Sequence, residues 1–335
     1  MRSERVITTV DFHTGGQGMR LLTAGLPRLP GATMAEKRQY FQERFDDLRT
    51  ALCMEPRGHR DMLMAVMTEP VSPGAAFGLL FMDPSGYLDS CGEATIGSTT
   101  VALETGLVTP AGPATPVVVD TVAGPVETVA HLDGGRVREV TMRMRPSYVV
   151  ATDQQVKVED VGEVPVDVVV GAGNVFGIVE ASALGLEVRR DRVRDILQVG
   201  VALREAANDQ LHLEVPDQGE LRVGLVEIVE PAGPGGVLRN AVIWGAGAID
   251  RAPCGTGTCA RLALLHHRGE LEVGETIVHE GILGTRFTGR VLEAAPAPTG
   301  QGILPEIGGT AYLTAMAQFL FDPEDPLRAG YLLDL

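Results

Sequence analysis

Two stretches of the chain repeat one pattern, namely DSCGEATIG at residues 89–97 and DRAPCGTGT at residues 250–258. Each stretch places a Cys-Gly pair directly before an apolar run that favours helix. A glycine follows fifteen positions after each cysteine, Gly106 after Cys91 and Gly269 after Cys254. We therefore predict two helices that each begin at a cysteine and end at a glycine.

A cysteine at the start of a helix lies among backbone N–H groups that have no partner within the helix, at the positive end of the helix dipole. This environment stabilises a thiolate and lowers the pKa of the thiol. The same N–H groups can bind an anion such as a substrate carboxylate. Two such sites that face each other would place a thiolate and a thiol on opposite sides of one carbon. The pattern therefore indicates an enzyme that removes a proton from one face of a carbon and returns one to the other.

The alternative for any single cysteine in an apolar helix is burial in the core, which is common for free cysteine. Cys91 and Cys254 share a context of glycine, threonine and a following amphipathic run, and this repetition favours a catalytic role. We interpret the other two cysteines, Cys53 and Cys259, as structural. The four cysteines show no paired Cys-x-x-Cys spacing and no histidine in zinc-finger register, so we expect no metal site.

The composition is that of an ordinary globular protein, with 335 residues of which 44% are hydrophobic and 21% charged. This length allows two domains. The formal net charge of −16 argues against nucleic acid or an anionic membrane surface as a partner, because both require basic patches. Residues 1–6 carry no apolar leader and no run is long enough to span a membrane, so the cytoplasm is the expected location. The sequence is compatible with a homodimer.

Hydrophobic patterning predicts two series of elements in the same order. The first series comprises strands at 5–10 and 19–22 around a glycine-rich turn, a helix at 34–54, strands at 63–67 and 77–82, the first cysteine helix, and strands near 117–121, 125–131 and 138–144. The second comprises strands at 166–170 and 176–179 around another glycine-rich turn, a helix at 191–209, strands at 222–227 and 239–244, and the second cysteine helix. The shared order predicts a duplicated domain with the site between the copies.

The polar stretch at residues 152–155 marks the predicted boundary between the two copies. The first lobe is expected to comprise residues 1–155 plus 312–335 and to carry Cys91. The second lobe, residues 156–311, carries Cys254.

Further motifs accompany the two cysteine stretches along the chain. They are His13-Thr14-Gly15-Gly16, Arg57-Gly58-His59-Arg60-Asp61-Met62, Gly284-Thr285-Arg286-Phe287 and Pro305-Glu306-Ile307. In these motifs and their order the chain resembles the proline racemase family, which includes 4-hydroxyproline 2-epimerases and trans-3-hydroxyproline dehydratases. The resemblance covers nearly the whole chain, and residues 250–258 are its most specific part.

The resemblance implies an α+β fold of two pseudo-symmetric lobes, similar to diaminopimelate epimerase. Each lobe would be a β-barrel-like sheet around a central helix, with a cofactor-free site in the cleft. Cys91 and Cys254 match the two acid/base thiols of the family, and Asp250 matches the acidic residue that receives the ring nitrogen of the substrate. The backbone N–H groups that match the carboxylate-binding cradle are those of Gly92, Glu93, Gly255 and Thr256.

The chain departs from the family pattern at two places near these motifs. Glu93 and Ala94 stand where the family commonly has His and Gly, and Gln17 stands where it usually has Glu. A backbone N–H survives a change of side chain, so the carboxylate cradle is expected to remain. An ionised Glu93 beside Cys91 would raise the pKa of that thiol and oppose the helix dipole. Glu93 therefore either points away from the thiol or binds part of the substrate.

The function implied by the resemblance is a cofactor-independent inversion of the α-carbon of a cyclic imino acid, with 4-hydroxyproline as the favoured substrate. Proline racemase is the first alternative. Dehydration of trans-3-hydroxy-L-proline is less favoured, because resembling dehydratases have Thr at the position of Cys254. A non-enzymatic imino-acid binder is disfavoured, since it would need the cradle and Asp250 but no matched pair of thiols.

Overall fold

The computed structural model describes residues 5–216, 218–233, 235–245 and 247–333. The chain forms two compact units, residues 1–142 together with 310–335, and residues 143–309. Both units combine a large sheet with a small number of helices, so the predicted α+β class is confirmed.

The first unit opens with a hairpin in which β1 (Arg5–Thr14) and β2 (Gln17–Ala24) pair antiparallel. Gly15 and Gly16 form the turn with φ of 58° and 100°, which glycine adopts without steric cost. The following elements are α1 (Met34–Cys53), β3 (Leu63–Thr68), β4 (Phe77–Asp83), β5 (Gly86–Leu88), α2 (Gly92–Glu104), β6 (Ala114–Thr121), β7 (Gly124–Asp133) and β8 (Arg136–Arg143).

The second unit repeats this plan with a short additional hairpin. Its elements are β9 (Tyr148–Val158), β10 (Gly162–Gly171), β11 (Asn174–Glu180), α3 (Val193–Gln210), β12 (Leu213–Val215), β13 (Gly219–Leu221), β14 (Leu225–Glu230), β15 (Val237–Trp244), β16 (Ala248–Ile249), α4 (Gly255–His267), β17 (Thr276–Glu280), β18 (Arg286–Ala297) and β19 (Gly300–Gly309). A last strand, β20 (Ala311–Phe321), belongs to the first unit.

The strand pairings show that the two units are copies of one topology. In the first unit β1 pairs antiparallel with β2, β2 parallel with β3, β3 antiparallel with β4, and β4 parallel with β6. In the second unit β10, β11, β14, β15 and β17 pair in the same sequence of directions. The predicted duplication is therefore confirmed.

Each copy is completed by a strand that follows the other copy in the chain. β9 follows the strands of the first unit but pairs antiparallel with β10 in the second. β20 follows the strands of the second unit but pairs antiparallel with β1 in the first, with Arg5 opposite Phe321. The first unit is therefore not a contiguous segment of the chain.

A helix buried on all sides lies at the centre of each sheet. Every residue of α2 from Gly92 to Leu103 is buried, and the helix packs against β1, β2, β3, β6, β7 and β20. Gly97 permits this packing, because a Cβ at that position would lie only 1.8 Å from the ring of Phe12. α4 is likewise buried and packs against β9, β10, β11, β18 and β19. Within the described part of the chain, no helix has the length and apolar character needed to cross a membrane.

Both central helices have the predicted ends. α2 starts directly after Cys91 and α4 directly after Cys254. Gly106 and Gly269 follow their last turns with φ of 79° and 71°, the left-handed conformation that commonly terminates a helix.

One predicted strand is displaced along the chain. The sequence indicated a strand at residues 222–227, whereas β14 spans Leu225–Glu230. The side chain of Asn208 on α3 donates to the carbonyl of Val223 at 2.9 Å and accepts from its N–H at 2.8 Å. The backbone groups of Val223 are thereby satisfied by a side chain instead of a neighbouring strand.

The core of the second unit contains two buried ionisable residues, Glu227 on β14 and His279 on β17. Burial raises the pKa of Glu227 to about 8, against the opposing effects of a hydrogen bond from Asn240 and the charge of Arg261. Burial also lowers the pKa of His279 to about 3, and the charge of Arg261 acts in the same direction. Both shifts favour the uncharged forms of these two side chains in the interior.

These two pKa shifts affect stability in opposite directions. The pKa of Glu227 is raised from 4.5. Its contribution to the free energy of unfolding is therefore fully present below about pH 4.5 and is lost as the pH rises through about 8. The pKa of His279 is lowered from 6.5. Its contribution to the free energy of unfolding is therefore fully present above about pH 6.5 and is lost as the pH falls through about 3. Of these two residues, only Glu227 therefore lowers the free energy of unfolding as the pH rises from about 6.5 to 8.

We expect Glu227→Gln to remove this loss, because the amide does not titrate. Between about pH 6 and about pH 7.5 the wild-type free energy of unfolding should fall by about 2 kcal/mol more than that of the variant. Urea denaturation at the two pH values measures the difference. Glu280→Gln is the matched control, because the pKa of Glu280 is lowered by hydrogen bonds from Arg286 and Arg239 that outweigh its partial burial. Equal losses in wild type and Glu227→Gln would show that Glu227 is ionised in the fold.

Candidate active site

The first thiol lies at the N-cap of α2. Cys91 is half-buried and has extended backbone with φ of −150°. Gly92 and Glu93 are the first two residues of the helix, so their N–H groups have no acceptor within it. Both the N–H and the hydroxyl of Thr95 donate to the carbonyl of Cys91, at 3.0 and 2.8 Å. The first turn is thus fixed directly behind the sulfur.

The side chain of Glu93 is directed towards this thiol. Glu93 is only 8% exposed, and its Oε2 accepts from Sγ of Cys91 at 3.7 Å. The hydroxyl of Thr14, the last residue of β1, donates to the carbonyl of Glu93 at 2.8 Å. This contact contradicts the first alternative drawn from the sequence, in which Glu93 points away from the thiol, and leaves the second, that Glu93 binds part of the substrate, as a prediction.

The other departure from the family pattern, Gln17, has a structural partner in the same unit. Gln17 is buried, and its Nε2 donates to the carbonyl of Asp61 at 2.9 Å. The N–H of Gly16 donates to Nδ1 of His13 at 3.3 Å. Gln17 thereby ties the hairpin that carries residues 13–16 to the segment at residues 57–62.

The second thiol lies at the N-cap of α4 but has a different backbone. Cys254 is buried and has φ of 65°, a left-handed value that a non-glycine residue adopts only under strain. Its Sγ accepts from the N–H of Gly257 at 3.4 Å and lies 3.6 Å from Oγ1 of Thr256. The sulfur of Cys254 therefore receives a backbone donor of the helix, whereas that of Cys91 donates to a carboxylate.

Asp250 and Thr256 lie close in sequence to this thiol. Asp250 is 8% exposed, and its Oδ1 accepts from the N–H of Ala252 at 2.9 Å. The side chain of Asn174 donates to Oγ1 of Thr256 at 3.3 Å. Gly255 and Thr256 open α4, so their N–H groups have no acceptor within the helix. Within the second unit, the structure groups the predicted residues around one helix N-terminus.

The two thiols differ in their hydrogen-bond partners. A backbone N–H that donates to sulfur stabilises the thiolate, as does the positive end of the helix dipole. A carboxylate that accepts from sulfur stabilises the thiol, because an ionised neighbour repels a second negative charge. The two hydrogen bonds therefore act in opposite directions on the two thiols, and a carboxylate oxygen of Asp250 also lies within 4.8 Å of Sγ of Cys254.

The other two cysteines lie in the interior. Cys53 and Cys259 are both fully buried. Burial raises the pKa of Cys53 to about 12, which keeps it protonated and unreactive at neutral pH. Their burial agrees with the structural role predicted from the sequence.

Two functional features of the site were not recognised in the sequence. One is the threonine four residues after each cysteine, since Thr258 donates from both its N–H and its hydroxyl to the carbonyl of Cys254, as Thr95 does to Cys91. The shared Cys-Gly-x-x-Thr spacing was a signal for it. The other is the N–H of Gly257 as the donor to Cys254, which no sequence pattern indicates.

Comparison with known proteins identifies the family of this chain. The family model described as Proline racemase matches residues 9–332. The proline racemase of Clostridioides difficile is 41% identical over 335 residues, covering 99% of this chain and 100% of the relative. The 4-hydroxyproline 2-epimerase of Streptosporangium roseum is 40% identical over 334 residues, covering 99% of this chain and 100% of the relative.

Solved structures agree with the sequence comparisons. The crystal structure of a hydroxyproline epimerase from Agrobacterium vitis, with bound trans-4-OH-L-proline, matches with a TM-score of 0.87 at 29% identity. The match covers 99% of this chain and 96% of the other. A family model that spans almost the whole chain, two relatives at about 40% identity over their full lengths and a shared fold lead to one conclusion: the chain belongs to the proline racemase family of isomerases.

Proposed function

We propose that the protein is a cofactor-independent epimerase that inverts the α-carbon of a cyclic imino acid, with Cys91 and Cys254 as its two acid/base residues. The observation that carries this proposal is the repeated thiol at the N-cap of a buried helix, with a different hydrogen-bond partner in each copy. A two-base inversion needs one thiolate to remove the α-proton and one thiol to deliver a proton from the other face.

The remaining predicted residues supply charge stabilisation. The α-proton of an amino acid is a very weak acid, so the carbanion-like transition state needs fixed positive partners for its carboxylate. The N–H groups of Gly92, Glu93, Gly255 and Thr256 are the proposed donors. Asp250 is the proposed partner of the ring nitrogen, whose positive charge withdraws electrons from the α-carbon.

The resting protonation states define a starting direction. Cys254 begins as the base, because Gly257 donates to its sulfur. Cys91 begins as the acid, because its proton is shared with Glu93. After one turnover the roles are exchanged, and Glu93 then faces a thiolate. Turnover in the reverse direction, in which Cys91 removes the α-proton and Cys254 delivers its own proton to the other face, restores the resting state.

We favour 4-hydroxyproline as the substrate, supported by the relative from Streptosporangium roseum and the neighbour from Agrobacterium vitis. Proline is the alternative, supported by the relative from Clostridioides difficile. Incubation with 4-hydroxyproline, proline and trans-3-hydroxy-L-proline in deuterated water, with optical rotation, deuterium incorporation and keto-acid or pyrroline formation followed together, tests the proposal. An epimerase gives inversion with deuterium at the α-carbon; a dehydratase gives only the pyrroline product, and a non-enzymatic binder gives none of these signals.

Serine substitutions test the proposed roles of the two thiols. Cys91→Ser and Cys254→Ser should each reduce the rate of inversion by about 100-fold or more, because a hydroxyl is too weakly acidic to replace a thiolate base. Polarimetry with the preferred imino acid measures the rate. Cys53→Ala is the matched control and should retain activity where it remains folded. Inversion by either serine variant at a rate close to wild type would contradict the two-base assignment.

Removal of the charge of Glu93 tests its effect on Cys91. Glu93→Gln removes the negative charge beside Cys91 but keeps the shape of the side chain, so Cys91 should be alkylated roughly threefold to tenfold faster at neutral pH. Labelling with iodoacetamide, read at each cysteine by peptide mass spectrometry, measures the rate. Wild type labelled under the same conditions is the reference.

Glu104→Gln is the matched control for this experiment, because Glu104 ends the same helix and is remote from its N-terminus. It should leave the labelling of Cys91 unchanged. If Glu93→Gln also leaves the labelling of Cys91 unchanged, the carboxylate does not stabilise the thiol.

Removal of the charge of Asp250 tests its proposed contact with the ring nitrogen of the substrate. Asp250→Asn keeps an oxygen that can accept from Ala252 but loses the charge, so the affinity for the imino acid should fall by roughly 10-fold to 100-fold. Affinity for planar pyrrole-2-carboxylate, which lacks the charged nitrogen, should change little. Calorimetric titration of both ligands measures the contrast, with Asp195→Asn on the surface of α3 as the control. Equal loss of both ligands would show that Asp250 supports the fold of the site and does not bind the nitrogen.

A further inference from the structure

Buried side chains donate hydrogen bonds to the carbonyl groups of Pro253 and Cys254, on either side of the strained residue. The carbonyl of Pro253, on one side of the strained residue, accepts from Nδ2 of Asn240 at 2.7 Å. The same Nδ2 donates to Oε1 of Glu227, also at 2.7 Å. Both protons of the Asn240 amide are thereby used, and Asn240 and Glu227 are at most 1% exposed. This first branch joins Glu227 to the backbone that precedes Cys254.

A second branch reaches the backbone that follows the sulfur. The carbonyl of Cys254 accepts from the hydroxyl of Thr258 at 2.8 Å, and that hydroxyl lies 3.0 Å from Nδ1 of His279. The hydroxyl has a single proton, which it gives to the carbonyl, so His279 must donate from Nδ1. Nε2 of His279 then carries a lone pair and lies 3.8 Å from Oε1 of Glu227. This distance is longer than a hydrogen bond, so the second branch ends in a packing contact with the carboxyl of Glu227, whereas the first branch is hydrogen-bonded to it.

Glu227 also lies against the residue that donates to the sulfur. A Cβ at Gly257 would lie 3.1 Å from Oε1 of Glu227 and 3.3 Å from Cβ of Cys254. The N–H of this glycine is the donor to Sγ of Cys254. The carboxyl of Glu227 therefore packs beneath the turn that stabilises the thiolate.

The first unit provides an internal comparison, because the strand registers relate its residues to those of the second. Met19 pairs with Leu63 as Phe176 pairs with Leu225, which aligns Ala65 with Glu227. The pairings of β4 and β15 then align Leu79 with Asn240 and Val119 with His279. Ala65, Leu79 and Val119 are all buried. The topology therefore accepts apolar residues at all three positions.

The polar residues occur only in the copy whose cysteine has the strained backbone. Cys91, in the unit with apolar residues at these three positions, has φ of −150°, an ordinary extended value. Cys254, in the unit with polar residues at these three positions, has φ of 65°. Burying polar groups costs free energy that an apolar core avoids. A role tied to Cys254 explains why the second unit retains them.

We propose that Glu227, Asn240 and His279 form a positioning network that holds Cys254 in its left-handed conformation and aligns Gly257 with its sulfur. The proposal rests on the proposed function only in taking Cys254 as a catalytic thiol. None of the three side chains acts on the substrate; they act through the peptide groups of Pro253 and Cys254.

Replacement of Asn240 by leucine, the residue at the equivalent position of the first unit, tests the network. Asn240→Leu should slow the alkylation of Cys254 relative to Cys91 in the same molecule by roughly tenfold, because the donor to the thiolate is misaligned. The kcat of inversion should fall with little change in KM. Glu227→Gln, whose amide oxygen can still accept from Asn240, should retain the wild-type labelling ratio.

Asn208→Leu is the matched control, because Asn208 also makes two hydrogen bonds to backbone in the second unit but contacts Val223. It should lower the melting temperature without changing the labelling ratio. If Asn240→Leu does not fold, the triple variant Glu227→Ala, Asn240→Leu and His279→Val installs the apolar residues of the first unit and should show the same reduced ratio.

A labelling ratio within about twofold of wild type, or a faster reaction of Cys254, in the folded Asn240 variant or the triple variant would overturn the proposal. Labelling needs no substrate, so the result is independent of the proposed function. If wild type inverts no imino acid while the ratio still falls in the variant, the proposed function fails and the network stands. If wild type inverts its substrate and the ratio is unchanged, only the network fails.

Discussion

A helix that is buried on all sides imposes the main constraint on each unit of this protein. Its first N–H groups cannot all be satisfied by its own backbone, and burying them without partners is costly. In both units the residue at this position is a cysteine, followed by a threonine that returns two hydrogen bonds to the cysteine carbonyl. The need to place a helix inside a sheet thus creates a site that can bind an anion and hold a reactive sulfur.

The two copies share a topology but not an electrostatic environment. One sulfur donates to a carboxylate and has relaxed backbone, and the other accepts from a backbone N–H and has strained backbone. A symmetric pair of thiols would share one preferred protonation state, which is a poor starting point for the proposed reaction, since that reaction needs one acid and one base. Divergence after duplication therefore supplies the chemical asymmetry that the repeated fold lacks.

The sequence was informative where local signals coincide and silent where contacts are long-range. The cysteine helices, their glycine ends and the repeated element order follow from periodicity and turn residues. The displacement of β14 depends on Asn208, fifteen positions from the backbone that it satisfies. Glu227 and His279 lie within short apolar strands, where a single polar residue gives no pattern. Their proximity depends on strand register across the whole unit.

The exchange of closing strands between the copies has a consequence for folding during synthesis. Residues 143–309 contain every strand of the second unit, so this unit can fold as soon as that segment has left the ribosome. The first unit is translated earlier but must keep an edge of its sheet open until β20 emerges, since Arg5 pairs with Phe321. Such a non-local pairing is slow to form and exposes an unpaired strand edge to aggregation. The half of the protein that is translated first is therefore the half that is completed last.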